Sequence, residues 1–108
     1  MAVTIDQVHA LEIKIGTIEH AERVPDSDKL LRLEVQVGED SLRQILSGIA
    51  QFVAPEDLIG RQFPFITNLE PRTIRGLVSN GMLLAVGDSD GFALLTPTRQ
   101  VLPGAQVR

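Results

Sequence analysis

The chain has 108 residues, the size of one domain with a single core, and it carries a net charge of −4. It has no Cys, so disulfides and thiolate metal sites are excluded. It also has no Trp and no Tyr, so we expect an aliphatic core whose only large rings are Phe52, Phe63, Phe65 and Phe92.

The first predicted element is a single helical turn, because Thr4 and Gln7 have the spacing of a capping box. A strand follows, in which every second residue is apolar: Leu11, Ile13 and Ile15. After Gly16 the alternation changes, because the next apolar residue is Ile18 rather than residue 17. This change predicts a bulge or a sharp coil in that strand.

The middle of the chain predicts a hairpin, a short connector and a fourth strand. Residues 31–37 alternate between apolar and polar side chains, and a turn leads from them into a third strand at 42–46. Residues 54–60 have Pro and acidic residues at the start and Gly at the end, as a short helix does. The fourth strand runs near 62–67, where Pro64 indicates an edge strand or a bulge.

The last third of the chain predicts a long loop, a final hairpin and a tail. The loop covers residues 68–76, the apolar run 82–86 is the next strand, and a turn leads into residues 92–96. About five short strands with one helical connector predict a single all-β domain over residues 1–108. The expected fold is a five-stranded Greek-key OB-fold barrel with a short helical connector and a C-terminal extension over 97–108.

Groups suited to catalysis or to a bound metal are scarce in the sequence. His9 and His20 are the only histidines, there is no Cys, and no Ser lies in a nucleophile-elbow context. We therefore expect a binding domain rather than an enzyme, with no metal and no cofactor. The first residues lack a signal-peptide pattern and no apolar run reaches membrane-spanning length, so we expect a cytoplasmic location and no membrane partner.

The charge is distributed unevenly, which keeps a nucleic-acid partner open despite the negative total. Residues 61–108 hold five basic and three acidic side chains, whereas residues 1–60 hold five basic and eleven acidic ones. Physiological salt screens exposed charges over about 8 Å, so a local basic patch can bind phosphate on an acidic domain. The same charges also fit the ordinary solvated surface of an acidic cytosolic protein.

The strongest candidate binding residues lie between positions 72 and 82. Arg72 and Arg75 could pair with phosphates bidentately. Ser79 and Asn80 could hydrogen-bond sugar or base edges, and Met82 could pack against a base. Spacing alone favours a structural interpretation, with Asn68 as a turn former, Ser79–Gly81 as a bulge and Met82 in the core.

Seven stretches share their order and spacing with one known family: Ile13–Gly16, Pro25–Leu30, Val37–Glu39, Arg43–Ile49, Pro55–Arg61, Asn68–Pro71 and Arg75–Ala85. The resemblance extends over almost the whole chain, and Ser-Asn-Gly-Met-Leu-Leu-Ala is its most specific part. In these residues the chain resembles the tRNA-binding OB-fold domain found at the C-terminus of many methionyl-tRNA synthetases and as free-standing tRNA-binding proteins.

The resemblance implies an OB barrel, sequence-tolerant recognition of tRNA shape, and a homodimer closed largely by the tail at 97–108. The RNA-binding residues that it implies are Lys29, Arg75, Ser79 and Met82, and Asn80 also matches the motif. An aminoacyl-tRNA synthetase is a further expected partner.

Two departures from the family pattern concern the expected phosphate-binding patch. Glu70 stands where the family usually has a basic residue, and Thr73 stands where another basic residue is common. Each replacement weakens the patch. Two other functions therefore stay open: a dimeric peptide-binding secretion chaperone of the same fold, and a purely structural dimerisation domain.

Overall fold

The computed structural model describes all of residues 1–108. In chain order the elements are α1 (Ile5–His9), β1 (Ile13–Arg23), β2 (Leu31–Gln36), β3 (Arg43–Ser47), a 3₁₀ turn (Pro55–Asp57), β4 (Gln62–Ile66), β5 (Arg72–Ile74), β6 (Leu77–Ser79), β7 (Met82–Leu83), β8 (Ala85–Val86) and β9 (Ala93–Leu94). No helix is long and apolar enough to cross a membrane.

Five strands form one antiparallel sheet in the spatial order β3-β2-β1-β4-β7. The sheet curls into a nearly closed barrel, because its outer strand β3 packs against β6 and β7. Two small hairpins, β5 with β6 and β8 with β9, complete the fold. The predicted all-β, five-stranded OB-like barrel is confirmed.

Apolar side chains at every second position of β2 form most of one wall of the core. Leu31, Leu33 and Val35 are fully buried, and the polar residues between them are half-buried. In β1 the pairing with β2 shifts register between Ile18 and His20, which confirms the predicted irregularity of that strand. A bulge of this kind bends a strand, as closing a small barrel requires.

The four phenylalanines do not all belong to the core. Phe63 and Phe65 on β4 are fully buried, as expected. Phe92 is half-buried, and Phe52 is 40% exposed. The expectation that Phe52 is a core ring was therefore wrong.

The second half of the chain differs from the prediction in its local structure. The expected loop 68–76 contains β5, which pairs with β6, and the expected helical connector at 54–60 has only a three-residue 3₁₀ turn. The apolar run 82–86 is broken at Leu84 into β7 and β8.

Pro64 accounts for the break at Leu84. The backbone N–H of Leu84 donates to the carbonyl of Pro64 (3.1 Å), but Pro64 has no N–H to continue the ladder on that side. The pairing of β4 with β7 therefore stops there. The prediction of an edge strand was wrong, because β4 lies between β1 and β7.

Both chain ends lie against the start of β1. The capping box of Thr4 and Gln7 is formed, as predicted, but α1 buries none of its residues. Residues 104–107 make three backbone hydrogen bonds of 2.7–2.8 Å with Ile13 and Ile15. The tail is thus part of the packing of its own barrel.

Candidate nucleic-acid interface

The hairpin of β5 and β6 turns through Arg75 and Gly76, which separate the paired residues Ile74 and Leu77. Both turn residues have positive φ, 54° for Arg75 and 78° for Gly76, as in the type I′ turns typical of two-residue hairpins. Glycine adopts this conformation freely, whereas arginine does so under strain. The turn projects the exposed Arg75 side chain from the end of a short, rigid hairpin.

Arg75 contacts the loop that precedes β2. Its guanidinium donates a hydrogen bond to the backbone carbonyl of Asp26 (2.9 Å). Asp26 has a φ of 64°, so the only two non-glycine residues with positive φ are in direct contact. Backbone strain tends to cluster at functional sites, because surrounding structure must hold it in place.

Lys29 lies in the same loop and lines an open depression together with Arg75 and Gly48. Its side chain is exposed and makes no ion pair. The structure therefore brings Lys29 and Arg75 together, although 46 positions separate them in the sequence. Asp28 also lines this depression and reduces its positive potential.

A small cleft beside this depression contains three more of the expected residues. Arg72, Ser79 and Met82 line it together with Glu70. The Arg72 side chain is exposed and forms no hydrogen bond or ion pair, and Met82 is 47% exposed rather than in the core. The acidic departure at Glu70 is thus located inside the candidate interface.

Ser79 is placed differently from its neighbours, because its hydroxyl is engaged within the protein. It is buried, accepts a hydrogen bond from the backbone N–H of Leu46 (3.0 Å) and donates to the carbonyl of Gly81 (3.3 Å). The bond with Leu46 connects β6 to β3. The side-chain amide of Asn80, the next residue, is half-buried and makes no hydrogen bond within the chain.

Sequence reasoning missed two residues of β3 that hold this motif in place. The Gln44 side chain donates to the carbonyl of Val78 (2.9 Å), and the Gln44 carbonyl accepts from the backbone N–H of Asn80 (2.8 Å). The Arg43 guanidinium donates to the carbonyl of Asn80 (3.3 Å) and also to that of Thr67 (2.6 Å). Their side-chain types alone gave no signal of this, because the partners are distant in the sequence.

Arg43 also pairs with Glu39 four positions earlier, through contacts of 2.7 and 2.8 Å. This hydrogen-bonded pair lowers the pKa of the Glu39 carboxyl and raises the pKa of Arg43. The carboxylate therefore helps to hold the guanidinium that supports Asn80.

Gly81 permits the tight approach of the motif to the barrel. Its φ is 142°, and a Cβ at this position would lie 2.9 Å from Cδ1 of Ile45 and 3.1 Å from the carbonyl oxygen of Ile66. No larger residue fits without displacing the core. The glycine of the Ser-Asn-Gly-Met stretch thus has a packing reason to be there.

The arginines divide into those that are neutralised and those that are not. Arg32 contacts Glu22 (2.6 Å) and Glu34 (2.9 Å) on the outer face of the barrel. Lys29, Arg72 and Arg75 have no carboxylate within 4.0 Å. The candidate interface therefore holds three unpaired cations, Arg72 in the cleft and Lys29 and Arg75 in the depression, and such cations can bind phosphate groups.

Comparison with known protein families gives a match over nearly the whole barrel. The family model described as "Putative tRNA binding domain" matches residues 13–106. A methionine–tRNA ligase of Helicobacter pylori is 45% identical over 105 residues, which is 97% of this chain. The chain spans 16% of the length of that relative.

Solved structures with the same fold carry two different descriptions. A MetRS related protein from Pyrococcus horikoshii superposes with a TM-score of 0.92 at 33% identity, covering 100% of this chain and 99% of that one. The chaperone CsaA from Bacillus anthracis superposes with a TM-score of 0.88 at 29% identity, covering 100% of both chains.

Proposed function

The chain belongs to the putative tRNA-binding domain family, and on that basis we propose that it binds folded tRNA as a homodimer without catalysing a reaction. The observation that supports this most directly is the cluster of unpaired cations, Lys29, Arg72 and Arg75, beside the Ser79–Met82 motif. We further propose that it acts in the cytoplasm, in translation.

Each residue of the interface has a distinct role in this proposal. Lys29, Arg72 and Arg75 contact phosphates, which supply most of the affinity but carry no sequence information. Asn80 offers its free amide to a sugar or a base edge, and Met82 packs against the nucleotide. Ser79 acts by positioning both, because its own hydroxyl is already hydrogen-bonded.

Recognition of shape follows from how these groups are held. The cations project from a strained turn and from a loop that contact each other, so their spacing is set by the protein fold. Cations carried at set backbone positions favour an RNA whose phosphates are already arranged to match them. Folded tRNA is expected to bind more tightly than a flexible single strand, which must lose conformational freedom on binding.

The decisive experiment compares two matched double variants in a filter-binding assay with tRNA. R72Q/R75Q removes two charges from the interface, and R61Q/R99Q removes two exposed charges from a separate depression. With about 1 kcal/mol lost per contact, the first is expected to weaken binding by roughly 30-fold and the second by far less. Equal effects of the two variants would contradict the proposed interface.

A homodimer is supported by the apolar surface at the chain ends. Ile5, Val8, Leu11, Ile13 and Val107 line a groove between α1 and the tail, and α1 buries none of its residues within the chain. A second copy placed over this groove would remove its apolar surface from water.

Light scattering of V8E tests the dimer, with L42E as a control at an exposed leucine elsewhere. V8E is expected to be monomeric at micromolar concentration and L42E dimeric. A monomeric wild-type protein would contradict the proposal directly.

An aminoacyl-tRNA synthetase is the proposed working partner, since this chain spans only a sixth of the ligase that it resembles. Added to a methionine–tRNA ligase without such a segment, it is expected to lower the KM for tRNA. An unchanged KM would contradict the partnership and leave the RNA-binding proposal intact.

Polypeptide binding is the second candidate function, and the likeness to the chaperone CsaA favours it. Glu70 inside the cleft and the net charge of −4 are also easier to reconcile with a polypeptide than with RNA. An unfolded polypeptide added as competitor distinguishes the two: it should not displace tRNA if the first proposal holds.

A further inference from the structure

Phe52 and Phe92 form a stacked pair at the surface of the barrel. Their ring centroids are 4.6 Å apart, and the ring planes differ by 9°. Phe92 packs against the buried core, whereas Phe52 is 40% exposed and does not belong to the core cluster. Phe52 is therefore the outer layer of a two-ring stack that rests on the core.

The stack keeps an aromatic surface available to a further flat group. Aromatic rings prefer offset parallel or edge-to-face contacts, and a parallel pair has two outer faces. Phe92 is half-buried and packs against the core, and Phe52 is the more exposed ring of the pair. A nucleobase has the shape and the π-face to extend such a stack.

The stack lies next to the cations of the proposed interface. The backbone N–H of Ala50 donates to the carbonyl of Lys29 (3.0 Å), and the Arg23 guanidinium donates to the carbonyl of Ala50 (3.3 Å). Phe52 is two residues further along, so its Cα lies within about 7 Å of that of Ala50. Gly48, two residues before Ala50, lines the depression of Lys29 and Arg75.

One cation is located close to Phe52. The Arg23 guanidinium donates to the carbonyl of Ala50, two residues before Phe52, and has no carboxylate within 4.0 Å. Acidic residues flank both rings in the sequence, at 56–57 and at 88–90. Because phosphates are attracted to cations, an RNA strand would pass on the side of Arg23 with its base over Phe52.

We propose that Phe52 is a stacking platform for one unstacked nucleobase of the bound RNA, with Phe92 as its support. This inference rests on the proposed function. It assigns base contact to a residue outside the Ser79–Met82 motif and gives this almost ring-free barrel one aromatic contact with RNA.

The absence of Trp and Tyr makes a direct test available. F52W introduces the only indole of the chain at the platform, and I59W introduces one at a half-exposed site on another face. On addition of tRNA, emission of F52W is expected to fall, because a stacked base quenches indole fluorescence. Emission of I59W is expected to stay constant.

A second variant measures what the ring contributes. F52L keeps an apolar side chain but removes the π-face, and it is expected to lower tRNA affinity about tenfold. The salt dependence of binding should not change, because no phosphate contact is lost. As the folding control, F52L should unfold at the same urea concentration as the wild type.

The outcomes separate this inference from the function on which it rests. If tRNA binds to the wild type but F52W is not quenched and F52L binds equally well, the platform is refuted and the RNA-binding function stands. If tRNA does not bind to the wild type, both fail. If only an unfolded polypeptide changes F52W emission, the platform holds apolar side chains, and the nucleobase proposal is overturned.

Discussion

Arg75 allows RNA binding and stability to be changed in opposite directions, because it is both charged and strained. Its φ of 54° is a left-handed conformation that only glycine adopts without cost. Replacement by Gly or by Ala removes the same guanidinium, but only Gly also relieves the backbone. Replacement by Lys keeps the positive charge.

The expected stabilities follow from two contributions. Both truncations lose the hydrogen bond from Arg75 to the carbonyl of Asp26, which is exposed and worth about 0.5 kcal/mol. R75A keeps the strained backbone, so it should be about 0.5 kcal/mol less stable than the wild type. R75G gains about 1 kcal/mol from relief of strain, so it should be about 1 kcal/mol more stable than R75A in urea unfolding.

The affinities for tRNA should not follow the stabilities. R75G and R75A each lose one phosphate contact, so the plot of log affinity against log salt should flatten by about 0.9 in both. R75K should keep the wild-type slope. If R75G is no more stable than R75A, the turn is not strained, and if both keep the wild-type slope, Arg75 lies outside the interface.

Three further predictions concern the supports of the motif. S79A leaves the buried N–H of Leu46 without its acceptor and should lose about 1–3 kcal/mol in urea unfolding, whereas S47A, at a side chain with no hydrogen bond, should lose almost nothing. G81A should lose on the order of 2 kcal/mol, because its Cβ meets both a core side chain and a carbonyl; unchanged stability would contradict the close approach. Pairing with Arg43 lowers the pKa of the Glu39 carboxyl in the folded protein below its usual value of 4.5. The pair therefore stabilises the protein above pH 4.5, and this stabilisation is lost as the pH falls through the pKa of the folded state. E39Q should therefore be up to about 1 kcal/mol less stable than the wild type at pH 7, and the gap should close below pH 4.5; a gap independent of pH would contradict the pairing.

Two local patterns in the sequence predicted local structure correctly. The capping box at Thr4 and the alternation along residues 31–37 both appear in the structure as expected. Each depends on residues only a few positions apart, whose geometry is set by the helix or strand itself. The break at Leu84 was missed because it depends on Pro64 in a neighbouring strand.

Closure of the barrel could not be predicted in this way. The hydrogen bonds from Leu46 to Ser79 and from Gln44 to Val78 join residues 33 and 34 positions apart. Neither side chain has a pattern that identifies its partner, since Ser and Gln are also common on exposed strand faces. The motif resemblance singled out Ser79 as a candidate binding residue, but only the structure shows that its hydroxyl is hydrogen-bonded within the protein.

The exposure of Phe52 could not be predicted from the sequence either. A phenylalanine in a short turn is expected in the core on composition alone, because the chain has so few large rings. Whether a turn residue points inward or outward depends on what packs beneath it, and here that place is taken by Phe92. The exposed ring could therefore be identified only from the structure, where the connector after β3 meets the hairpin of β8 and β9.

The net charge of −4 is a poor guide to RNA binding because it sums the charges of all faces of the molecule. Arg32 and Arg43 hold carboxylates at 2.6–2.9 Å, and these pairs stabilise the barrel rather than contacting a ligand. Lys29, Arg72 and Arg75 have none within 4.0 Å. The molecule measures 40 × 34 × 28 Å, several times the screening length of about 8 Å, so acidic groups on other faces act weakly at the interface. Affinity for phosphate should therefore depend on the unpaired cations of this one face and on its two nearby acids, Asp28 and Glu70, more than on the charge of the whole chain.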